Sequence, residues 1–281
     1  MKIGIIGLGL IGGSYALAFK KKFKAHIYGE DLHHFPRALA LGLADEKLNE
    51  KNLRQTDIII IATPVDSIAK ITAQILDKIS PETLVLDAGS IKHPIAQKLS
   101  SHPKRENFLL SHPIAGTEYS GPDAAFGNLF EGKTNIFCDT EQTQSELVKK
   151  AYEIMETLGM KTIEMKSNEH DRHIAYVSHL SHISSFMLGK TVMDLEKDEK
   201  NIFAMAGSGF ASTVRLAKSS PDTWTPIFLE NKKHILQSLE EYIGNLEIFK
   251  RELSEGNYKN IHKKLQQINH IKSIIDKLEK I

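Results

Sequence analysis

Four short stretches of this sequence carry side chains whose types and spacing suit chemistry rather than packing. The first, Ile3-Gly4-Ile5-Ile6-Gly7-Leu8-Gly9-Leu10-Ile11-Gly12-Gly13-Ser14, sets glycines in a GxGxxG pattern between an apolar run and a helical pattern. Gly7 there permits a tight turn, Gly9 lets a pyrophosphate approach the backbone, and Gly12 lets helix and strand pack closely, with Leu8, Leu10 and Ile11 completing the loop. The amino end of the following helix then faces the phosphates. Asp31 stands nineteen positions after Gly12, at the end of the next apolar run, where a carboxylate accepts hydrogen bonds from ribose hydroxyls. A carboxylate at that point repels a ribose phosphate, which favours NAD over NADP. Glu30 is a rival for the acidic role, and His33, His34 and Arg37 leave NADP open. A further loop, Ala62-Thr63-Pro64-Val65, is expected to border the cofactor, although Thr63-Pro64 equally suits a helix start.

The other stretches are Asp87-Ala88-Gly89-Ser90-Ile91-Lys92, His112-Pro113-Ile114-Ala115-Gly116-Thr117-Glu118 and Ser178-His179-Leu180-Ser181-His182. His179 and His182 are three apart in a helical pattern and share a face. Alone, such a pair reads as satisfied core groups or half of a metal site. Without HExxH or an added carboxylate it does not amount to a zinc set, so no metal is expected. Arginine is scarce, six among the 36 Lys plus Arg. Arg215 stands among apolar neighbours, and its planar fork suits a carboxylate; a surface arginine or a buried ion pair is the alternative.

These residues need elements to hold them. Apolar runs at 2–6, 25–28, 57–62, 83–87, 108–111 and 135–138 alternate with helical patterns at 11–21, 65–79 and 91–99. That alternation predicts an α/β domain, a doubly wound parallel sheet of Rossmann type. The continuous Ile58 to Ile61 is what a strand buried on both faces requires. The Ser90 and His112 stretches each follow a predicted strand, which puts them in loops at the carboxyl edge of the sheet, where ligands bind. Past about residue 166 the strand signals stop, and helices are expected at 168–195, 202–217, 223–255 and 258–280. In the last, Ile261, Leu265, Ile268, Ile271, Ile275 and Leu278 form a stripe at helical spacing, either a core face or a subunit interface. The expected domains are 1–166, binding dinucleotide, and 167–281, helical.

Composition removes several classes of function. With 281 residues, 41% hydrophobic, the chain can fill buried cores unaided. A net charge of +1 leaves no electrostatic footprint for nucleic acid or an anionic membrane. The lone Cys138 forms no internal disulfide, which fits a cytoplasmic setting. The apolar stretch 3–19 carries patterned glycines and is shorter than the roughly 20 residues that span a bilayer.

Together with Thr213-Val214-Arg215-Leu216-Ala217-Lys218 and Trp224 followed by Phe228-Leu229-Glu230-Asn231, these motifs resemble the prephenate dehydrogenase family along nearly the whole chain. The resemblance implies a Rossmann-type domain followed by an all-helical dimerisation domain. It implies NAD-dependent oxidative decarboxylation of prephenate to 4-hydroxyphenylpyruvate in tyrosine biosynthesis. It makes His112 the catalytic histidine, hydrogen-bonded to the substrate ring hydroxyl, with Ser90 holding both in register. Arg215 becomes the substrate-binding arginine; His179 and His182 stand at the pocket, and Thr117 and Glu118 line or gate it. Trp224 would reach a neighbouring subunit's active site in a homodimer, and tyrosine would be an inhibitor. Where some relatives carry an acid three residues before the arginine this chain has Ser212, so an ionic gate through Glu118 and Arg215 lacks its middle member. Arogenate dehydrogenase is the nearest rival reading. A two-domain dehydrogenase acting on a hydroxy acid or imine would need a catalytic lysine motif that the helical half lacks. An NAD-sensing module without chemistry would have no use for His112, Ser90 and Arg215 together.

Overall fold

The computed structural model describes residues 1–117, 119–198 and 201–278. Its strands are β1 (Lys2–Ile6), β2 (His26–Glu30), β3 (Glu46–Lys47), β4 (Ile58–Ile61), β5 (Leu84–Asp87), β6 (Phe108–Ile114), β7 (Thr134–Cys138) and β8 (Lys161–Met165). The helices between them are α1 (Leu10–Phe23), α2 (Phe35–Ala40), α3 (Glu50–Leu53), α4 (Val65–Leu76), α5 (His93–Leu99) and α6 (Ser145–Thr157). After β8 follow α7 (Ser167–Ile174), a π-turn at Ala175–His179, α8 (Leu180–Asp198), α9 (Ser208–Thr213), α10 (Pro221–Glu230), α11 (Lys232–Ser254), α12 (Tyr258–Ile268) and α13 (Lys272–Leu278).

The strands form one sheet in the order β3-β2-β1-β4-β5-β6-β7-β8. The first six run parallel in the doubly wound order, with the switch point between β1 and β4. The sheet is mixed rather than wholly parallel, because β7 runs antiparallel to β6 before β8 rejoins in parallel with β7. Ile58 and Ile60 face one core layer and Ile59 and Ile61 the other, none more than 1% exposed. Alternation across a doubly covered sheet explains why the run has no polar member, and each such burial contributes roughly 1.5–3 kcal/mol.

Two strands escape the apolar signal because they stand at the exposed edges of the sheet. β3 is a two-residue edge with both side chains exposed, and β8, Lys-Thr-Ile-Glu-Met, is an outer strand largely open to solvent. The helical half also departs from the expected long helices. Residues 202–217 are short turns around α9, whose entry residue Gly207 is extended. The expected helix 223–255 divides at Asn231, whose backbone leaves helical geometry between α10 and α11.

The chain forms two compact units, 1–232 and 233–281. Within the second, the Asn257 side chain caps α12, and Lys264 pairs with Glu252 at 2.8 Å. Leu265, Ile268, Ile271 and Ile275 are exposed and Ile261 is half-buried; the Leu278 side chain lies outside the described residues.

Candidate active site

The glycine loop sits at the switch point, where β1 ends. Gly7 has φ +87, and a Cβ there would lie 2.5 Å from the Ala62 carbonyl oxygen; at Gly12 a Cβ would lie 1.9 Å from that of Gly7. Both must be glycine for β1, β4 and α1 to meet. A Cβ at Gly9, by contrast, meets no atom within 4 Å, which leaves the open approach a pyrophosphate needs. No side chain caps α1, so its first-turn amides at Leu10, Ile11 and Gly12 are free to receive an anion. Asp31 flanks the loop, accepting from Leu8 N at 2.8 Å and from His33 N and His34 N at 2.9 and 2.8 Å. Partial burial raises its pKa, but these backbone bonds and nearby His34 outweigh burial and hold the carboxyl below its ordinary value. Glu30, the rival acid, is exposed, and Arg37 is engaged by Asp123. Thr63 N would lie 3.0 Å from a Cβ on Gly7, and at the start of α4 the Ser67 hydroxyl lies 2.9 Å from Thr63 Oγ1 and 2.7 Å from Pro64 O.

His112 and Pro113 belong to β6 itself, not to a loop after it. Beyond Leu109 the strand has parted from β5, so Pro113, which has no N–H, sits where β6 has a partner on one side only. Lys92 fills the resulting split. Its ammonium, fully buried, pairs with the Asp87 carboxylate and donates to Ser111 O at 2.6 Å. Asp87 also accepts from Ser111 N at 3.0 Å, which anchors the residue just before His112.

His112 is 8% exposed, and its Nδ1 lies 2.8 Å from Nε2 of His170. His170 Nδ1 in turn lies 2.7 Å from Oδ1 of Asp171. Burial, reinforced by the positive potentials of His170, Lys92 and His179, pushes the His112 pKa well below its ordinary 6.5, so the imidazole is neutral at physiological pH. Ser90 does not hold His112: its hydroxyl is buried and without a partner among the described residues, and His170 takes that place. His170 and Asp171 are the residues sequence reasoning missed. Both lay inside a predicted helix, and their partner His112 is 58 positions away.

The helical segment brings the remaining residues round. Residues nine apart on a regular α-helix, such as His170 and His179, lie about half a turn out of phase. The π-turn widens the spiral between them, a feature frequent at functional sites. Asn231 Nδ2 bridges the turn, donating to Asp171 O at 2.7 Å and lying 3.2 Å from His179 Nδ1. That bridge explains why Asn231 breaks the helix. His179 is fully buried, its pKa lowered to about 4 chiefly by desolvation, and its Nε2 finds no partner among the described residues.

Trp224, expected from the resemblance at a neighbouring subunit's site, stacks on His182 of its own chain at 3.4 Å between ring centroids and meets His179 edge-on at 5.9 Å. Burial, together with the nearby Arg215 cation, lowers the His182 pKa. Arg215 itself is exposed and forms no ion pair among the described residues, so it is not the buried pair its apolar neighbours allowed. Thr117 is exposed, its hydroxyl accepting from Tyr119 N at 3.2 Å. Glu118 lies outside the described residues. Ser212 bonds Gly209 O. Among the described residues there is no group of three or more metal-ligating side chains, and no helix is long and apolar enough to cross a membrane.

A doubly wound sheet with an open glycine turn at its switch point, a buried neutral histidine toward the carboxyl end of β6 and a helical continuation defines a dinucleotide-dependent dehydrogenase architecture. Residues 15–164 match the nucleotide-binding domain of prephenate dehydrogenase, and residues 166–267 match that family's dimerization domain. The chain belongs to the prephenate dehydrogenase family. It is 29% identical to the cyclohexadienyl dehydrogenase of Zymomonas mobilis over 94% of this chain and 93% of that one. It is 33% identical to the prephenate dehydrogenase of Lactococcus lactis, over 96% of this chain and 74% of the relative. The crystal structure of the A. aeolicus prephenate dehydrogenase, in complex with hydroxyphenyl propionate and NAD+, superposes with a TM-score of 0.90 at 29% identity, covering 100% of this chain and 98% of that one.

Proposed function

We propose that this protein oxidises and decarboxylates prephenate to 4-hydroxyphenylpyruvate with NAD, in the formation of tyrosine. The observation that carries the reading is a buried, neutral His112 at the carboxyl edge of the sheet that also carries the open glycine turn. Bound NAD supplies the hydride acceptor. Gly7, Leu8, Gly9, Leu10, Ile11 and Gly12 would cradle its pyrophosphate, Asp31 its ribose, with Thr63, Pro64 and Ser90 alongside. The neutral His112 accepts the substrate's ring hydroxyl proton as positive charge builds at the carbinol carbon. It returns that proton to the phenol oxygen once the ring carboxylate has left as carbon dioxide. The reaction therefore needs no net proton, and aromatisation drives the carboxylate's departure. The unpartnered Ser90 hydroxyl is free to bond the same substrate oxygen. Arg215, without an ion pair among the described residues, grips a carboxylate, and His179, His182 and Trp224 wall the substrate, with Thr117 at the rim; Glu118, the other residue expected there, lies outside the described residues.

The whole-length similarity to a cyclohexadienyl dehydrogenase supports a second reading, in which arogenate is also accepted. Crossing prephenate and arogenate with NAD and NADP, and following ultraviolet absorbance of the reduced nicotinamide, tests both. The reading expects the fastest reduction with prephenate and NAD; no reduction with prephenate would reject it. Residues 1–166 act as the dinucleotide-binding domain and 167–281 as the substrate and dimerisation domain, a division the family match at 164 and 166 supports. The exposed apolar residues of α12 and beyond support a homodimer. Tyrosine, chemically close to the product, inhibits; flat activity across a tyrosine titration would reject that. A cytoplasmic setting suits the buried Cys138, whose thiol burial keeps protonated.

A further inference from the structure

We propose that Asp171 and His170 are positioning residues that fix where the hydrogens of His112 lie, leaving its Nε2 as the proton acceptor. The inference rests on the reading of His112 as the base and adds which of its nitrogens works, and why.

The hydrogen placement follows from the acceptors. Asp171 takes three N–H bonds: Oδ1 accepts from Lys92 N at 2.8 Å and Oδ2 from His93 N at 2.8 Å, besides the His170 ring. With backbone N–H donors on both of its oxygens, Asp171 stands as the acceptor toward the His170 ring. The hydrogen between Asp171 and His170 therefore sits on His170 Nδ1. His170 Nε2, the ring nitrogen opposite that hydrogen, then accepts across the 2.8 Å contact, which places the hydrogen on His112 Nδ1. That leaves the lone pair of His112 on Nε2. With His170 and Asp171 each 1% exposed, water does not compete for these bonds.

The same chain serves the proton-transfer step. When Nε2 takes the substrate hydroxyl proton, the O–H bond breaks, a new N–H bond forms and His112 becomes a cation. Its Nδ1–H already points at His170, behind which stands the Asp171 carboxylate, so the new charge meets an acceptor and an anion without reorganisation. Asn231, holding the Asp171 carbonyl at 2.7 Å, keeps the segment in place. The other charged or titratable groups facing His112 are Lys92, already paired with Asp87, and His179.

Three variants and one spectroscopic measurement test this. His170→Leu removes the acceptor and should lower kcat by about 100-fold or more, with the KM for prephenate changed by less than about threefold. His170→Gln, whose amide oxygen can accept from His112 Nδ1, should recover most of that loss. Asp171→Asn turns an amide N–H toward His170 Nδ1, reverses both hydrogens and should lower kcat as His170→Leu does. Heteronuclear NMR of nitrogen-labelled histidine in the substrate-free protein reads the placement directly. We expect the His112 hydrogen on Nδ1 in the parent protein and in His170→Gln, and on Nε2 in Asp171→Asn. A hydrogen on Nε2 in the parent protein, an undiminished kcat in His170→Leu, or equal losses in His170→Leu and His170→Gln would overturn the proposal. Because the hydrogen is located without substrate, failure to oxidise prephenate would reject the proposed function while leaving this placement standing or falling on the spectrum.

Discussion

Two parts of the proposed site are built on opposite plans. Around His112 nearly every polar group is buried and engaged: Lys92 with Asp87, His112 with His170, His170 with Asp171, Asn231 with Asp171 and His179. Around Arg215 and Thr117 the side chains are exposed, and the guanidinium has no protein partner among the described residues. A base must have its orientation and protonation state set before substrate arrives, because reorganisation at the moment of reaction costs rate. A carboxylate clamp must stay open to receive its ligand, and its cation is best left unspent on the protein. On the proposed function, the fixed side governs turnover and the open side governs capture.

Substitutions can break that division. The largest effect is expected from His112→Asn, which removes the base and should lower kcat by about 100- to 10,000-fold. NAD affinity, measured by calorimetry, should hold, since the glycine loop is untouched. Retained turnover would remove His112 from the mechanism. Lys92→Met should come next: it leaves the Asp87 carboxylate buried and unpaired and should cost about 3–5 kcal/mol of stability, read as a lower midpoint in thermal unfolding. A midpoint within error of the parent's would mean that the pair does not hold β5 to β6. Arg215→Ala should raise the KM for prephenate about tenfold or more while kcat changes little, the loss of a charged hydrogen bond being worth about 1.5–3 kcal/mol. If kcat fell instead and KM stayed, capture and chemistry would not be separated as described.

The smallest expected effect is on pH dependence. His179 has a folded pKa of about 4 against an ordinary 6.5, so the unfolded chain binds its proton first. The stability that neutral His179 contributes is complete above 6.5 and is lost progressively as the pH falls toward 4. His112 is shifted in the same direction, so activity should persist below 6.5 before the base is protonated. Unfolding midpoints that rose on acidification across that window would contradict the burial argument.

The two plans also differ in how far the sequence discloses them. The glycine loop is local: a strand, three glycines and an acidic residue follow one another, and β1 occupies the residues expected of it, Lys2–Ile6. The Ile58–Ile61 strand is equally legible, because burial on two faces leaves no polar residue to confuse it. β8 is not, since an outer strand open to solvent needs no apolar run. His112 and Arg215 stand out by residue type and motif, but the histidine's partners do not. His170 and Asp171 look like ordinary polar positions of a helix until the fold brings them across 58 residues to His112. Nor could helical periodicity show that Asn231 would leave its helix to bridge Asp171 and His179, because a side-chain bond from another segment outweighs local propensity there.

On the proposed function, the buried His112 cluster serves an oxidation coupled to loss of carbon dioxide. Measuring reduced nicotinamide and released carbon dioxide together, with prephenate and NAD, tests it most directly. Equal amounts of the two are predicted; reduction without carbon dioxide, or neither product, would contradict it.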